Sequence, residues 1–256
     1  MDTVQSADGT IIAYDRQGSG PALVLAVGAF CNRFTTKDLS AILCADFTVY
    51  EYDRRGRGDS TDAADYDVAR EVQDLAAVIA AAGGEAAVYG HSSGAALALE
   101  AAAAGLPIRR LAVYEPPYTG PNGPTPAFAA ELRDLVTSGQ REEAARRFIA
   151  LTGVPPEAIA QVQAAPFWPA MVGLAHTLPY DITLCNDGVP PVDRLTRIGI
   201  PTLALYGGAS APWAASAAAA VADAVPQAES RVLDGQNHDV NPEVLAPVLS
   251  AFYRAR

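Results

Sequence analysis

Residues Ala22-Leu23-Val24-Leu25-Ala26-Val27 form an unbroken apolar run that stops at Gly28. A strand with one wet face alternates apolar and polar residues, because successive side chains point to opposite faces. A strand that does not alternate must be covered on both faces, as in the interior of a parallel sheet flanked by helices. The remaining segments supply the other layers. Strands are predicted over 47–52, 86–89, 111–114, 202–206 and 230–233. Helical periodicity or alanine-rich composition occupies 67–82, about 93–104, 212–224 and 243–254. Strands alternating with helices imply right-handed crossovers and a doubly wound, mostly parallel sheet, so the expected class is α/β.

Two regions depart from this rhythm. At the start, Asp8-Gly9 sits between the β-prone runs Thr3–Ser6 and Thr10–Tyr14, which is the pattern of a hairpin. From about Pro116 to Leu195 strand runs vanish, and helical patterns appear around 126–138, 141–151, 156–164 and 167–177. The expected organisation is therefore a core over residues 1–115, a helical insertion over 116–195 and the rest of the core over 196–256. An insertion after one strand is naturally a lid or cap over whatever lies at that sheet edge.

Composition excludes several function classes. The net charge is −11, with 18 basic against 29 acidic residues, so clustered bases for binding nucleic acid are not expected. No apolar stretch is long enough to span a bilayer, and Met1-Asp2-Thr3-Val4-Gln5 has no signal-peptide pattern. The widely spaced Cys31, Cys44 and Cys185 fit neither a disulfide framework nor a zinc site. A cytoplasmic protein with free thiols, no metal and no cofactor is expected.

Gly90-His91-Ser92-Ser93-Gly94 lies between a predicted short strand and a predicted helix. In that setting Gly-x-Ser-x-Gly is a nucleophile elbow, a sharp turn that exposes a serine and crowds its flanks so that only glycine fits. The helix that follows aims its first amides at developing negative charge. A serine hydroxyl needs a base, and the chain holds three histidines. His91 is inside the elbow and is expected to pack away from Ser92. His176 falls in the insertion and is expected to pack there. His238 lies between the last strand and the last helix, at the carboxyl edge of the sheet where α/β sites form, and is the expected base.

With these pieces in place, the chain resembles the α/β-hydrolase superfamily over nearly its full length. The resemblance rests on the Asp8-Gly9 hairpin, the Val27-Gly28 strand end, Asp53-Arg54-Arg55-Gly56-Arg57-Gly58-Asp59-Ser60, the elbow and the late His238. It makes Arg57-Gly58-Asp59 part of a family loop rather than an adhesion signal. It also implies an oxyanion site near Gly28. The His-Gly pair that often ends that strand in the family is Val27-Gly28 here, but backbone N–H groups are the donors, and Ala29 and Ser93 are the candidates.

The acid of such a site usually follows the seventh strand. Here that strand runs into Gly207-Gly208-Ala209-Ser210, so the acid is replaced by Ser210 or is missing. The sixth strand ends in Glu115, and a carboxylate there is a known alternative in the superfamily. Ser92, His238 and Glu115 are thus the expected triad, ahead of Asp234 and Asp239, and Ser210 is expected to be dispensable. The competing role for Glu115 is to cap the entrance to the insertion.

Phe30, Tyr118, Trp168 and Trp213 are expected to line a largely apolar pocket, with Phe167, Met171, Leu174 and Tyr180 nearby. The expected activity is that of a serine hydrolase acting on an ester, thioester or lactone of a small apolar molecule. Alternatives are a cyclase, lyase or acyltransferase on the same fold, or a non-catalytic module that binds a small ligand.

Overall fold

The computed structural model describes residues 1–63, 65–120 and 123–255. Eight strands form one sheet in the spatial order β1-β2-β4-β3-β5-β6-β7-β8. They are β1 Asp2–Gln5, β2 Ile11–Gln17, β3 Ala22–Ala26, β4 Thr48–Tyr52, β5 Ala86–His91, β6 Ile108–Tyr114, β7 Thr202–Gly207 and β8 Ala228–Leu233. The expected hairpin is β1–β2, and every pairing from β4 through β8 is parallel. Strand β2 runs on to Gln17, beyond the expected end at Tyr14, because it also pairs antiparallel with β4 from Tyr14–Tyr52 to Gln17–Val49.

The apolar run at 22–27 is explained by what each face meets. Val24 and Ala26 join Val88, Val113 and Ala204 beneath α2 Val68–Ala81, α3 Ser93–Ala103 and α10 Pro212–Ala224. Leu23 and Leu25 point the other way, with Tyr89, Tyr114 and Leu203, beneath α1 Lys37–Leu43 and α11 Pro242–Arg254. Each face thus removes apolar area from water at about 25 cal/mol per Å2, which is why no polar residue interrupts the run. Helix α2 starts where the Asp67 carboxylate accepts from the Ala69 N–H, and α11 starts where Asn241 accepts from Glu243.

Between β6 and β7 the described residues are helical and contain no strand: α4 Pro126–Thr137, α5 Arg141–Leu151, α6 Pro156–Gln163, α7 Trp168–Gly173, α8 Leu178–Leu184 and α9 Val192–Leu195. The single helix expected over 167–177 is not formed. Helix α7 stops at Gly173, a short 3-10 turn spans Ala175–Thr177, and α8 begins afresh with Pro179 in its first turn. Proline has no N–H to donate, so it suits a helix start and resists a helix interior. This segment buries a core of its own, in which Ala129, Leu132, Ala145, Ile149, Leu178 and Ile182 meet. Helix α1 had no periodic signal, since only Leu39, Ser40 and Leu43 of its seven residues are buried. Among the described residues, no helix is long and apolar enough to cross a membrane.

Candidate active site

The carboxyl ends of β5 to β8 converge on one cavity of about 730 Å3, lined by Ser92, Glu115 and His238 among others. Each of the three follows its strand directly or through a short loop, so the parallel sheet itself brings them to one edge.

Ser92 joins β5 to α3 with φ 55° and ψ −124°, a conformation that costs an ordinary residue free energy. Neighbours make the turn obligatory. A Cβ on Gly90 would lie 2.6 Å from the Ala95 Cα, and one on Gly94 would lie 2.3 Å from the Ala26 carbonyl oxygen. Phe30 and Glu115 also adopt positive φ, at 57° and 48°, and both line the same cavity. Strained backbone gathered around one cavity is the pattern of a site under functional constraint.

Glu115 is fully buried, and both of its oxygens are occupied. Oε2 meets His238 Nδ1 at 2.7 Å. Oε1 accepts from the Gly207 N–H at 2.9 Å and from the Ser210 hydroxyl at 2.5 Å. Burial pushes this carboxyl group up, but the bonds from His238, Ser210 and Gly207 outweigh it and hold the group below its ordinary value. A carboxylate only accepts, so Nδ1 carries the proton and Nε2 is left with a free lone pair. Glu115 therefore orients the ring, and Ser210 and Gly207 orient Glu115. Ser210, expected to be dispensable, is part of this chain of bonds. Its sequence signal was present, since it stands where the acid was sought, but only the side-chain geometry turns it toward Glu115.

The loop that carries His238 is tied at its backbone. The Tyr114 hydroxyl donates to the Asn237 carbonyl at 2.5 Å, and His91 Nε2 donates to the His238 carbonyl at 3.0 Å. His91 bonds to this loop and not to Ser92, although it stands on the wall of the same cavity; burial and the neighbouring His238 push it down to about 4, so it serves as a neutral donor. His176 lies in the helical segment, with its Nδ1 bonded to the Gly173 carbonyl and its Nε2 4.0 Å from Asp62. Ser92 Oγ has no hydrogen-bond partner among the described residues, although it shares the cavity with His238. The backbone amides of Ala29 and Ser93 likewise have no protein acceptor among the described residues.

The expected pocket divides. Phe30 and Trp213 line the cavity. Tyr118 and Trp168 do not, and these two assignments are corrected. Tyr118 is buried in the core beneath α3, and Trp168 is buried in the core of the helical segment. Tyr180 stacks on Tyr66 at 4.1 Å and donates to Asp62, away from the cavity, and Phe167 is exposed. Helix α5 supplies Phe148, Ile149 and Leu151 instead, and α8 supplies Ile182. Aromatic residues at helical spacing mark a buried face but not what that face covers, so sequence could not separate these two sets.

Behind the elbow lies a group of charges in which Arg54 and Arg57 come from the loop singled out in the sequence, while no sequence signal pointed to their partners Glu71 and Asp181. Arg54 makes two bonds to Glu71 at 2.9 Å each, and its guanidinium also reaches Asp181 at 2.9 Å and Ser93 Oγ at 3.1 Å. Arg57 donates to Asp181 at 2.7 Å and to the Gly28 carbonyl. Ser93 Oγ donates to Asp181 at 2.6 Å. Asp181 arrives from α8, which sequence had not distinguished as a helix.

The sequence matches the model of the alpha/beta hydrolase family over residues 23–248. Among solved structures, an alpha/beta hydrolase from Sphaerobacter thermophilus DSM 20745 is 48% identical, with 98% of this chain and 100% of that chain covered and a TM-score of 0.93. A hydrolase from Pseudomonas aeruginosa PA01 is 22% identical over 99% of this chain and 98% of that one, at a TM-score of 0.81. An esterase from Exiguobacterium antarcticum is 20% identical over 99% of each chain, at a TM-score of 0.80. The latter two likenesses concern the fold. A comparison with curated proteins found no match.

Proposed function

Because this chain belongs to the alpha/beta hydrolase family and is a hydrolase, we propose that it cleaves an ester, thioester or lactone of a small apolar molecule through an acyl-enzyme on Ser92. The observation that carries this reading is the 2.7 Å bond from His238 Nδ1 to a fully buried Glu115, on the wall of the cavity that Ser92 also lines. With Nδ1 protonated, Nε2 is the basic nitrogen.

In this reading Ser92 Oγ attacks the substrate carbonyl carbon while His238 Nε2 takes its proton. The carbonyl oxygen becomes an oxyanion held by the free N–H groups of Ala29 and Ser93, the latter at the first position of α3. Glu115 stabilises the imidazolium that forms. His238 then returns the proton to the leaving alcohol or thiol, and water repeats the sequence to release the acid. The unmade Ser92–His238 bond is in keeping with catalytic contacts that tighten only when substrate is bound. Residues 116–195 act as a cap, and Phe148, Ile149, Leu151 and Ile182, with Phe30 and Trp213, give the cavity the apolar walls that suit a small apolar substrate.

The test is a panel of p-nitrophenyl esters with short and medium acyl chains, run beside a fluorophosphonate probe. The expected result is turnover of part of the panel and covalent labelling at Ser92. Ser92→Ala should abolish labelling and lower turnover on the order of 10⁴–10⁶-fold. Near-normal turnover by that variant overturns the serine mechanism. Labelling without turnover of any ester, thioester or lactone overturns the substrate class.

A further inference from the structure

One peptide unit joins Gly28 to Ala29, and its two polar ends face different partners. The Ala29 N–H is the free donor assigned above to the oxyanion, and the Gly28 carbonyl accepts from the guanidinium of Arg57. In a trans peptide the C=O and N–H groups point in opposite directions, so whatever grips the oxygen also sets the direction of the N–H. A cation on the carbonyl draws electron density toward the oxygen and makes the N–H at the other end a stronger donor.

We infer that Arg57 is a positioning residue for the oxyanion site, which orients and polarises the Ala29 N–H through the Gly28 carbonyl and is itself held in place by Asp181 of α8. The inference rests on the oxyanion role proposed for Ala29. Arg57 is fully buried, and Asp181 is the one carboxylate it pairs with among the described residues. The same Asp181 oxygen accepts from Ser93 Oγ at 2.6 Å and from Arg54 at 2.9 Å, and Arg54 in turn donates to the Val27 carbonyl at 3.2 Å. The two residues that supply the oxyanion donors are thus fastened to one carboxylate, Ser93 directly and Ala29 through Arg57. The geometry of that pair cannot drift without breaking charge-assisted bonds among buried groups. The fastening carboxylate belongs to the helical segment between β6 and β7, so this segment helps to shape the oxyanion site as well as the pocket.

Arg57→Lys keeps a cation beside Asp181, but its single nitrogen replaces the two guanidinium nitrogens that separately reach the Gly28 carbonyl and Asp181. The expected result is a fall in kcat of roughly 10–100-fold with KM changed less than about threefold, since a tetrahedral oxyanion is affected and a planar carbonyl hardly is. Affinity for a boronic acid or trifluoromethyl ketone inhibitor should fall in parallel with kcat/KM. A purely structural role would lower Tm or raise KM and leave inhibitor and substrate affinities in their original ratio, and that outcome overturns the inference.

A measurement on the unaltered protein does not depend on the variant folding. Carbonyl-¹³C glycine with ¹⁵N alanine isolates three Gly–Ala peptides, at 28–29, 94–95 and 208–209. The Gly28 carbonyl carbon should resonate downfield, as a carbonyl bonded to a cation does. A Gly28 carbonyl at the unbonded position overturns the inference as well. Failure of the serine mechanism would be read separately, as turnover that survives Ser92→Ala.

Discussion

Glu115 and Asp181 are equally buried carboxylates, 0% and 1% exposed, in the wall of the same cavity, yet they sit in opposite electrostatic settings. Glu115 is bonded to a histidine, a hydroxyl and a backbone amide. Asp181 is bonded to two guanidinium groups and a hydroxyl, all on one oxygen. A guanidinium is a permanent cation, so the Asp181 cluster keeps one charge state at every working pH and can only hold its neighbours in place. An imidazole gains and loses a proton near neutrality, so a carboxylate beside it can stabilise a charge that comes and goes. Burial alone therefore does not mark the carboxylate to which proton-transfer chemistry is assigned in the proposed function. The identity of the cation beside it does.

If this contrast is sound, the same kind of substitution should have different consequences at the two sites. Glu115→Gln keeps the shape but removes the charge that supports the imidazolium, and should cost roughly 10²–10⁴ in turnover with little change in Tm. Steady-state kinetics beside a thermal melt would read both, and unimpaired turnover would return Glu115 to a capping role at the entrance to the helical segment. Asp181→Asn leaves Arg57 buried without a carboxylate. Breaking one side of a buried pair costs about 3–5 kcal/mol, which for a domain of this size lowers Tm by roughly 10 °C. An unchanged Tm there would erase the distinction between the two carboxylates.

The smallest effect belongs to Ser210. Ser210→Ala removes one of the three bonds to Glu115, and should lower kcat by up to about tenfold, because a hydrogen bond to a charged group contributes roughly 1.5–3 kcal/mol and only the part that differs between ground and transition states reaches the rate. Ser210→Thr keeps the hydroxyl and should retain most of the rate. Equal rates for Ser210→Ala and the unaltered enzyme would limit the orientation of Glu115 to Gly207 and His238.

The legible parts of this protein share a physical cause. The doubly wound sheet could be read because apolar runs without alternation have few other uses, and because pairing two buried faces depends on each strand's own composition. Ser92 could be picked out because the elbow is local. Its glycines, its strand and its helix lie within about twenty residues, and the clashes that demand glycine at 90 and 94 come from Ala95 and from the neighbouring β3. His238 and Glu115 could be selected because parallel strands deliver their carboxyl ends to one edge, so position after a strand stands in for position in space.

Tertiary structure alone decided the rest. Asp181 is 127 residues from Arg54 and 88 from Ser93, and it lies beyond the last helix expected in the insertion, so sequence gave no hint of either partner. Tyr118 and Trp168 were assigned to the pocket because large aromatic residues are apolar wherever they lie, whereas Phe148 and Ile182 reach the cavity only because α5 and α8 turn those faces toward it. Ser210 was recognised as a gap where an acid is absent, and only packing showed that its hydroxyl donates to Glu115. Backbone order follows from local pattern and chain topology. The direction of a side chain follows from everything packed around it, and that information is spread over the whole chain.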